Sequence, residues 1–316
     1  MNTPRARLDE FGILRGTDKS SLNHDYLRHY ERILGHLCHE PITLLEIGVF
    51  RGGSLHMWED YMTAARIVGV DIVPDCIQYA GGRREIEIGS QADRSFLDEL
   101  GRRRHPHVII DDGSHMADHV ILTFRTLFPH LCPGGIYIIE DLHFHAGPGA
   151  THWRGATDAV PQDLMLRLAR LVSCPGTEGD SERALAQSID SIEFFYGAAV
   201  IRKRSPTNRA EVMAKHDLVE QASLPNVWTS YALHLFNNTG NLEQAIECVK
   251  RALEIEPRNP AHHEILSIIL EQASDLTGAL RAAKLAAELN PADKRRWARF
   301  EALRDRAASS ALPTPP

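Results

Sequence analysis

Between residues 41 and 141 five short apolar runs recur, over 41–49, 66–72, 85–89, 107–113 and 135–141, each with a glycine or an acid at or beside its end. Runs this short and this continuously apolar suit strands buried on both faces, and the amphipathic stretches between them suit crossover helices. The pattern predicts an α/β fold with a doubly wound, mostly parallel sheet. Sheets of that kind bind ligands beyond the carboxyl ends of their strands, where this chain places its glycines and acids. Two more β-prone runs, 192–197 and 198–204, have almost no spacer and predict an antiparallel hairpin that closes a seven-stranded sheet. The Gly/Pro/His-rich stretch from Leu142 reads as a mobile active-site loop, followed by helical segments over 164–172 and 182–189.

After about residue 205 the pattern turns wholly helical and repeats itself. Asn241 aligns with Asp275, Ala252 with Ala286, Ile255 with Leu289 and Pro257 with Pro291, each pair 34 residues apart. That period is the one found in tetratricopeptide repeats. Ala232 and Phe236 precede Leu266 and Leu270 by the same interval, so an incomplete earlier unit is expected. With 316 residues, two structural units follow from a prior of roughly 150 residues per domain.

Composition narrows the function. No apolar run reaches the ~18 residues of a membrane span, and the first residues carry no export signal, so a cytoplasmic protein is expected. A formal net charge of −7 argues against nucleic acid as a partner. The five cysteines lie 38 or more residues apart, which signals neither a disulfide framework nor a thiolate zinc site. Seventeen histidines supply bases near neutral pH and metal ligands.

The first apolar run leads into Glu46-Ile-Gly-Val-Phe-Arg-Gly-Gly-Ser54. Gly48 permits a tight turn, and Gly52 and Gly53 let the backbone approach a ligand. The spacing matches neither the dinucleotide fingerprint nor the phosphate loop. Asp71 closes the second run, placed to accept hydrogen bonds from ribose hydroxyls. The fourth run ends in Asp111-Asp-Gly-Ser-His115 and the fifth in Glu140-Asp-Leu-His143. Carboxylates crowded on one rim raise one another's pKa, whereas a divalent cation keeps them ionised. Oxygen donors without cysteine suit Mg²⁺, with Asp112, Glu140 and Asp141 as ligands and Asp111 turned to the cofactor. His115 is the expected general base. A His115/His119 zinc pair is the weaker alternative, because the glutamate of H-E-x-x-H is missing.

The glycine loop and the acid at 71 resemble class I S-adenosylmethionine-dependent methyltransferases, over roughly residues 42 to 204. The resemblance implies that Glu46, Gly48, Gly52, Gly53, Ser54, Asp71, Gln91, Asp93 and Asp111 contact S-adenosyl-L-methionine. D-G-S-H with I-E-D-x-H is similar to a narrower group, the metal-dependent sugar O-methyltransferases of antibiotic biosynthesis, of the mycinamicin and rhamnosyl types. A third match is Gly16-Thr-Asp-Lys19 followed by His24, Tyr26 and Tyr30. The group implies Mg²⁺ on Asp112, Glu140 and Asp141, His115 as base, and Lys19, Tyr30 and His143 near the substrate. The expected organisation is a helical lid over 1–40, a catalytic domain over 41–205, tetratricopeptide-like repeats over 224–306 and a disordered tail over 307–316. The expected partner is a small glycosylated substrate, in a homo-oligomer whose repeats offer a surface to another protein. A catechol acceptor and a non-catalytic repeat adaptor are the competing readings.

Overall fold

The computed structural model describes residues 7–146, 149–173, 180–206, 215, 219–220 and 223–310. The chain divides into two compact units, 1–205 and 206–316.

In the first unit the five apolar runs form β1 (Thr43–Ile47), β2 (Arg66–Asp71), β3 (Arg84–Ile88), β4 (Val108–Asp111) and β5 (Ile136–Ile139). β6 (Ile189–Phe195) and β7 (Ala198–Lys203) follow, and the sheet order is β3-β2-β1-β4-β5-β7-β6. Pairs among β1 to β5 are parallel, while β7 runs antiparallel to both β5 and β6, so the sheet is mixed. The hairpin turns on Tyr196 and Gly197, whose φ of +76° favours glycine. β6 begins three residues before the apolar run that predicts it, because Ile189 already pairs with Lys203.

Alternation along the strands feeds two cores. Leu44, Ile110 and Ile138 face one, and Leu45, Ile109 and Tyr137 face the other. The first is covered by α1 (Arg7–Arg15), α2 (Leu27–Leu34) and α3 (Gly53–Tyr61) through Leu8, Tyr30 and Trp58. The second is covered by α4 (Arg94–Arg104), α5 (Ala117–Leu127) and α6 (Pro161–Ser173) through Leu97, Phe124 and Met165, and α7 (Asp180–Gln187) adds Ala186. The N-terminal segment expected as a lid is therefore part of the core, because Leu8, Leu27 and Ile33 are buried against the sheet. After β5 the chain makes two short 3₁₀ turns, Leu142–His145 and Ala150–Trp153, where the sequence suggests a loop.

The second unit contains α8 (Pro225–Thr239), α9 (Leu242–Ile255), α10 (Pro260–Gln272), α11 (Leu276–Leu289) and α12 (Lys294–Ser310). α9 and α11 start 34 residues apart, as do α10 and α12. Their caps recur as well: Asn241 accepts from the N–H of Gln244, and Asp275 from that of Gly278. Arg296 and Arg299 of α12 bond Glu264 and Glu271 of α10 at 2.8 Å each. The helix continues to Ser310, so the tail expected from 307 starts too early; residues 311–316 lie outside the described residues. Among the described residues no helix is long and apolar enough to cross a membrane.

Candidate active site

The parity of the strands decides what meets beyond their ends. Leu44, Glu46 and Gly48 alternate onto the face covered by the N-terminal helices, as do Ile136, Ile138 and Glu140. Lys19 enters from the loop between α1 and α2 on that same face, and its side chain is 1% exposed. Its ammonium donates to Asp112 and to Glu140 Oε2 (2.8 Å) and lies 3.5 Å from Glu46 Oε1. Burial alone would lower the Lys19 pKa; Asp112, Glu140 and Glu46 outweigh it and hold the group well above its ordinary value. Two phenols from the same segment reach the acids. Tyr26 donates to Asp141 Oδ1 at 2.9 Å and Tyr30 to Glu140 Oε1 at 2.7 Å. Burial, and then the neighbouring carboxylates, push both phenols up, so at neutral pH they act as donors.

β1 pairs with β4 so that Ile47 stands opposite Asp111. Gly48 and Asp112 therefore touch: a Cβ at Gly48 would lie 2.0 Å from the Asp112 carbonyl oxygen, and φ there is +97°. Only glycine fits, and the contact brings the glycine loop beside the acids. A cavity of about 770 Å³ opens along this seam. Gly48, Gly53, Ser54, Asp71 and Gln91 line one part of it, and Lys19, Asp112, His115 and Asp141 another.

Asp71 organises the glycine loop. Its Oδ2 accepts from the N–H groups of Val49 (2.9 Å) and Phe50 (3.1 Å), and its Oδ1 from Val73 (2.9 Å). Burial pushes its carboxyl up, and those three N–H donors bring it below the ordinary value. The Cys76 thiol adds a further hydrogen bond to the same carboxylate.

The remaining residues expected at the cofactor do not line this cavity. Glu46 is buried beneath it beside Lys19. Gly52 sits against the Tyr79 ring. Asp93 caps α4, accepting from Ser95 and Phe96 N–H, which explains why an acid precedes that helix. Asp111 faces the opposite core, where Gln91 Nε2 (2.5 Å) and the Tyr137 hydroxyl (3.0 Å) donate to it. Parity is the reason: Asp111 shares its face with Ile109, so Asp112 reaches the rim and Asp111 does not. Gln91 in turn accepts from Ser114 N–H at 2.9 Å and so braces the loop that carries His115.

Among the described residues, Asp112, His115 and Asp141 form a group in which each offers one ligand atom within 4.8 Å of the others. His115 Nε2 is 3.8 Å from Asp141 Oδ2. Both residues hold left-handed backbone, with φ of +56° each, a conformation that costs most side chains about 1–2 kcal/mol. His119 instead pairs its Nδ1 with Ser114 Oγ at 2.8 Å, and it is not part of that group. Glu140 stands behind, with Lys19 on one oxygen and Tyr30 on the other. Burial, with Asp112 adding to it, pushes the Glu140 carboxyl well up, while Lys19 pulls it down; Asp112 too is raised by burial. His143 lies 3.9 Å from Asp141 Oδ1 and stacks on Tyr196 at 6.2 Å. Lys19 and Tyr30, also expected near the substrate, bond the acids, and Lys19 lines the cavity as well. Tyr26 was not expected to bond an acid; its i,i+4 spacing from Tyr30 on one helical face is the sequence signal for the pair.

Burial pushes Glu46 up to about 7 against the downward pull of Lys19. In the metal-free protein the folded state therefore keeps a proton that the unfolded chain loses near pH 4.5. Stability should fall as pH rises from about 4.5 to about 7, with this group contributing on the order of 3 kcal/mol. Denaturation curves across that range should flatten in Glu46→Gln; an unchanged slope would refute the assignment.

No family model matches the chain. Among curated proteins it is 32% identical over 207 residues to 8-demethyl-8-alpha-L-rhamnosyl tetracenomycin-C 2'-O-methyltransferase of Streptomyces olivaceus, covering 61% of this chain and 53% of that protein. It is 38% identical over 150 residues to mycinamicin VI 2''-O-methyltransferase of Micromonospora griseorubida, covering 45% and 37%. Over part of its length the chain is similar to sugar O-methyltransferases of antibiotic pathways. It spans about half the length, or less, of these curated relatives. Among solved structures, the MycE methyltransferase of the mycinamycin biosynthetic pathway, in complex with Mg, SAH and mycinamycin VI, superposes with a TM-score of 0.56. The identity is 28%, over 65% of this chain and 57% of that one. Over that stretch the chain shares the α/β fold of a methyltransferase.

Proposed function

We propose that the first unit transfers the methyl group of S-adenosyl-L-methionine to a sugar hydroxyl of a glycosylated small molecule, with Mg²⁺ as the metal. The observation that carries this reading is the Asp112, His115 and Asp141 group, set in the same cavity as the glycine loop and Asp71. The relatives named above act on glycosylated compounds, and the MycE structure holds Mg and SAH.

The donor set fits a hard divalent ion, since it is rich in carboxylate oxygen and free of thiolate. Asp112 and Asp141 would hold it, with Glu140 sharing a lone pair that its bonds to Lys19 and Tyr30 leave over. Bound there, Mg²⁺ supplies Lewis acidity and a template for two vicinal hydroxyls of the acceptor. Gly48, Gly53 and Ser54 cradle the methionine part of the donor, Asp71 takes its ribose, and Gln91 borders the adenosine side. His115 accepts the proton of the attacking hydroxyl at a ring nitrogen as the new C–O bond forms and the S–C bond breaks, leaving a methyl ether and S-adenosylhomocysteine. We read the helices over 224–306 as tetratricopeptide-like repeats, on their 34-residue recurrence and repeated caps, and as the place where a second copy or another protein would dock. Cys38, Cys76, Cys132 and Cys248 are free thiols, which supports a cytoplasmic setting; Cys174 lies outside the described residues.

The test is methyl incorporation from labelled donor into glycosides with vicinal diols, and into catechols, with Mg²⁺ or a chelator. Glycosides should be labelled only with metal, and labelling of catechols alone would reassign the acceptor. His115→Ala should lower kcat by about 10²–10⁴ while S-adenosylhomocysteine still binds. Undiminished turnover in that variant would remove the base.

A further inference from the structure

Every acid proposed as a metal ligand is hydrogen-bonded by the same short N-terminal stretch. Tyr26 holds Asp141 by Oδ1, leaving Oδ2 on the side of His115. Lys19 holds Asp112 by Oδ2. On Glu140, Tyr30 takes Oε1 and Lys19 takes Oε2. All three donors are essentially buried, at 1% exposure or less, so water does not readily replace them.

A carboxylate chelates an ion only when it can turn a lone pair of each oxygen toward it. A hydrogen-bonded oxygen can still offer its remaining lone pair singly, but an O–H already donated to it opposes the turn that chelation needs, and a phenol abandoned in a buried site loses its partner. Ions differ in how much they depend on such chelation. Ca²⁺ takes six to eight oxygens and readily uses both oxygens of one carboxylate, whereas Mg²⁺ demands a compact octahedron and keeps several waters.

We propose that Tyr26, with Tyr30 and Lys19, is a positioning residue that keeps the acids from chelating an ion through both oxygens, leaving one unbonded oxygen on Asp112 and Asp141 and none on Glu140, and so makes the site select a small octahedral ion over Ca²⁺. The inference rests on the proposed metal site and goes beyond it, because it assigns the selectivity to residues that do not ligate. Tyr26 is the residue to change. Its ring packs edge-on against Phe195 at 5.9 Å and stacks on His24 at 5.2 Å, contacts that phenylalanine keeps.

The experiment uses the full chain and reads binding. Mn²⁺ is titrated by electron paramagnetic resonance, and Mg²⁺ and Ca²⁺ are then measured as competitors, for the wild type, Tyr26→Phe and Tyr30→Phe. S-adenosylhomocysteine affinity reports the fold of the unit. The wild type should prefer Mg²⁺, and Tyr26→Phe should shift the ratio of Ca²⁺ to Mg²⁺ affinity toward Ca²⁺ by about tenfold, with Tyr30→Phe moving it the same way by less. A ratio unchanged within twofold in Tyr26→Phe, or an equal loss of both ions, overturns the inference and leaves the metal site standing. A wild type that binds none of the three ions overturns the metal site and the inference together. Should Tyr26→Phe fail to bind S-adenosylhomocysteine, the ratio in Tyr30→Phe decides, and no shift there overturns the inference.

Discussion

Asp141→Asn should reduce methyl transfer by about a thousandfold while leaving the fold and the binding of S-adenosylhomocysteine intact. Asparagine tolerates the left-handed backbone at this position, and its side-chain oxygen can still accept the Tyr26 hydroxyl. What it lacks is the charge. Lewis-acid stabilisation by a bound metal is worth several kcal/mol, and each 1.36 kcal/mol is tenfold in rate, so loss of the ion alone accounts for about three decades. Single-turnover assays over a range of Mg²⁺ separate the two ways of losing it. Weaker metal binding is rescued at high Mg²⁺, whereas a misplaced ion is not. Activity within tenfold of the wild type without added metal would show that Asp141 does not serve an ion.

How much of this was legible beforehand follows from the geometry of strands. Continuous apolar runs announce parallel strands because both faces are covered, and a parallel sheet sends all its carboxyl ends to one rim; Asp71, Asp112 and Asp141 were therefore legible as rim residues. The choice between Asp111 and Asp112 was harder. It depends on whether Ile109 or Ile110 faces the α4 and α5 side, and a strand buried on both faces carries no polar alternation to say so. Asp93 is ambiguous for a different reason: an acid before a helix reads equally as a ligand contact and as a cap. Lys19 was found as part of a motif, but its partners Asp112 and Glu140 are 93 and 121 residues away, and no local pattern encodes that approach. In the second unit the 34-residue recurrence is legible because α9 and α11 start on an Asn or Asp cap at matching positions and carry Ala252 and Ala286 at equivalent ones.

The same approach makes Lys19→Met the substitution with the largest expected effect on stability. Methionine matches the stem of the side chain, so little packing is lost, and the change isolates the charge. In its place Glu46, Asp112 and Glu140 face one another with no cation between them. Removing one partner of a buried ionic group typically costs about 3–5 kcal/mol, because the charge left behind is uncompensated. All three acids are raised by burial, and without Lys19 they rise further. Protonation then relieves the repulsion, so the loss should be largest near pH 8 and smaller near pH 5. Urea denaturation of the metal-free full chain, read on the transition that S-adenosylhomocysteine shifts, measures it at both pH values. Added Mg²⁺ should restore part of the loss at pH 8, since a divalent ion meets the same oxygens. A loss below about 1 kcal/mol at pH 8, or one that grows as pH falls, would mean that the ammonium does not hold these carboxylates together.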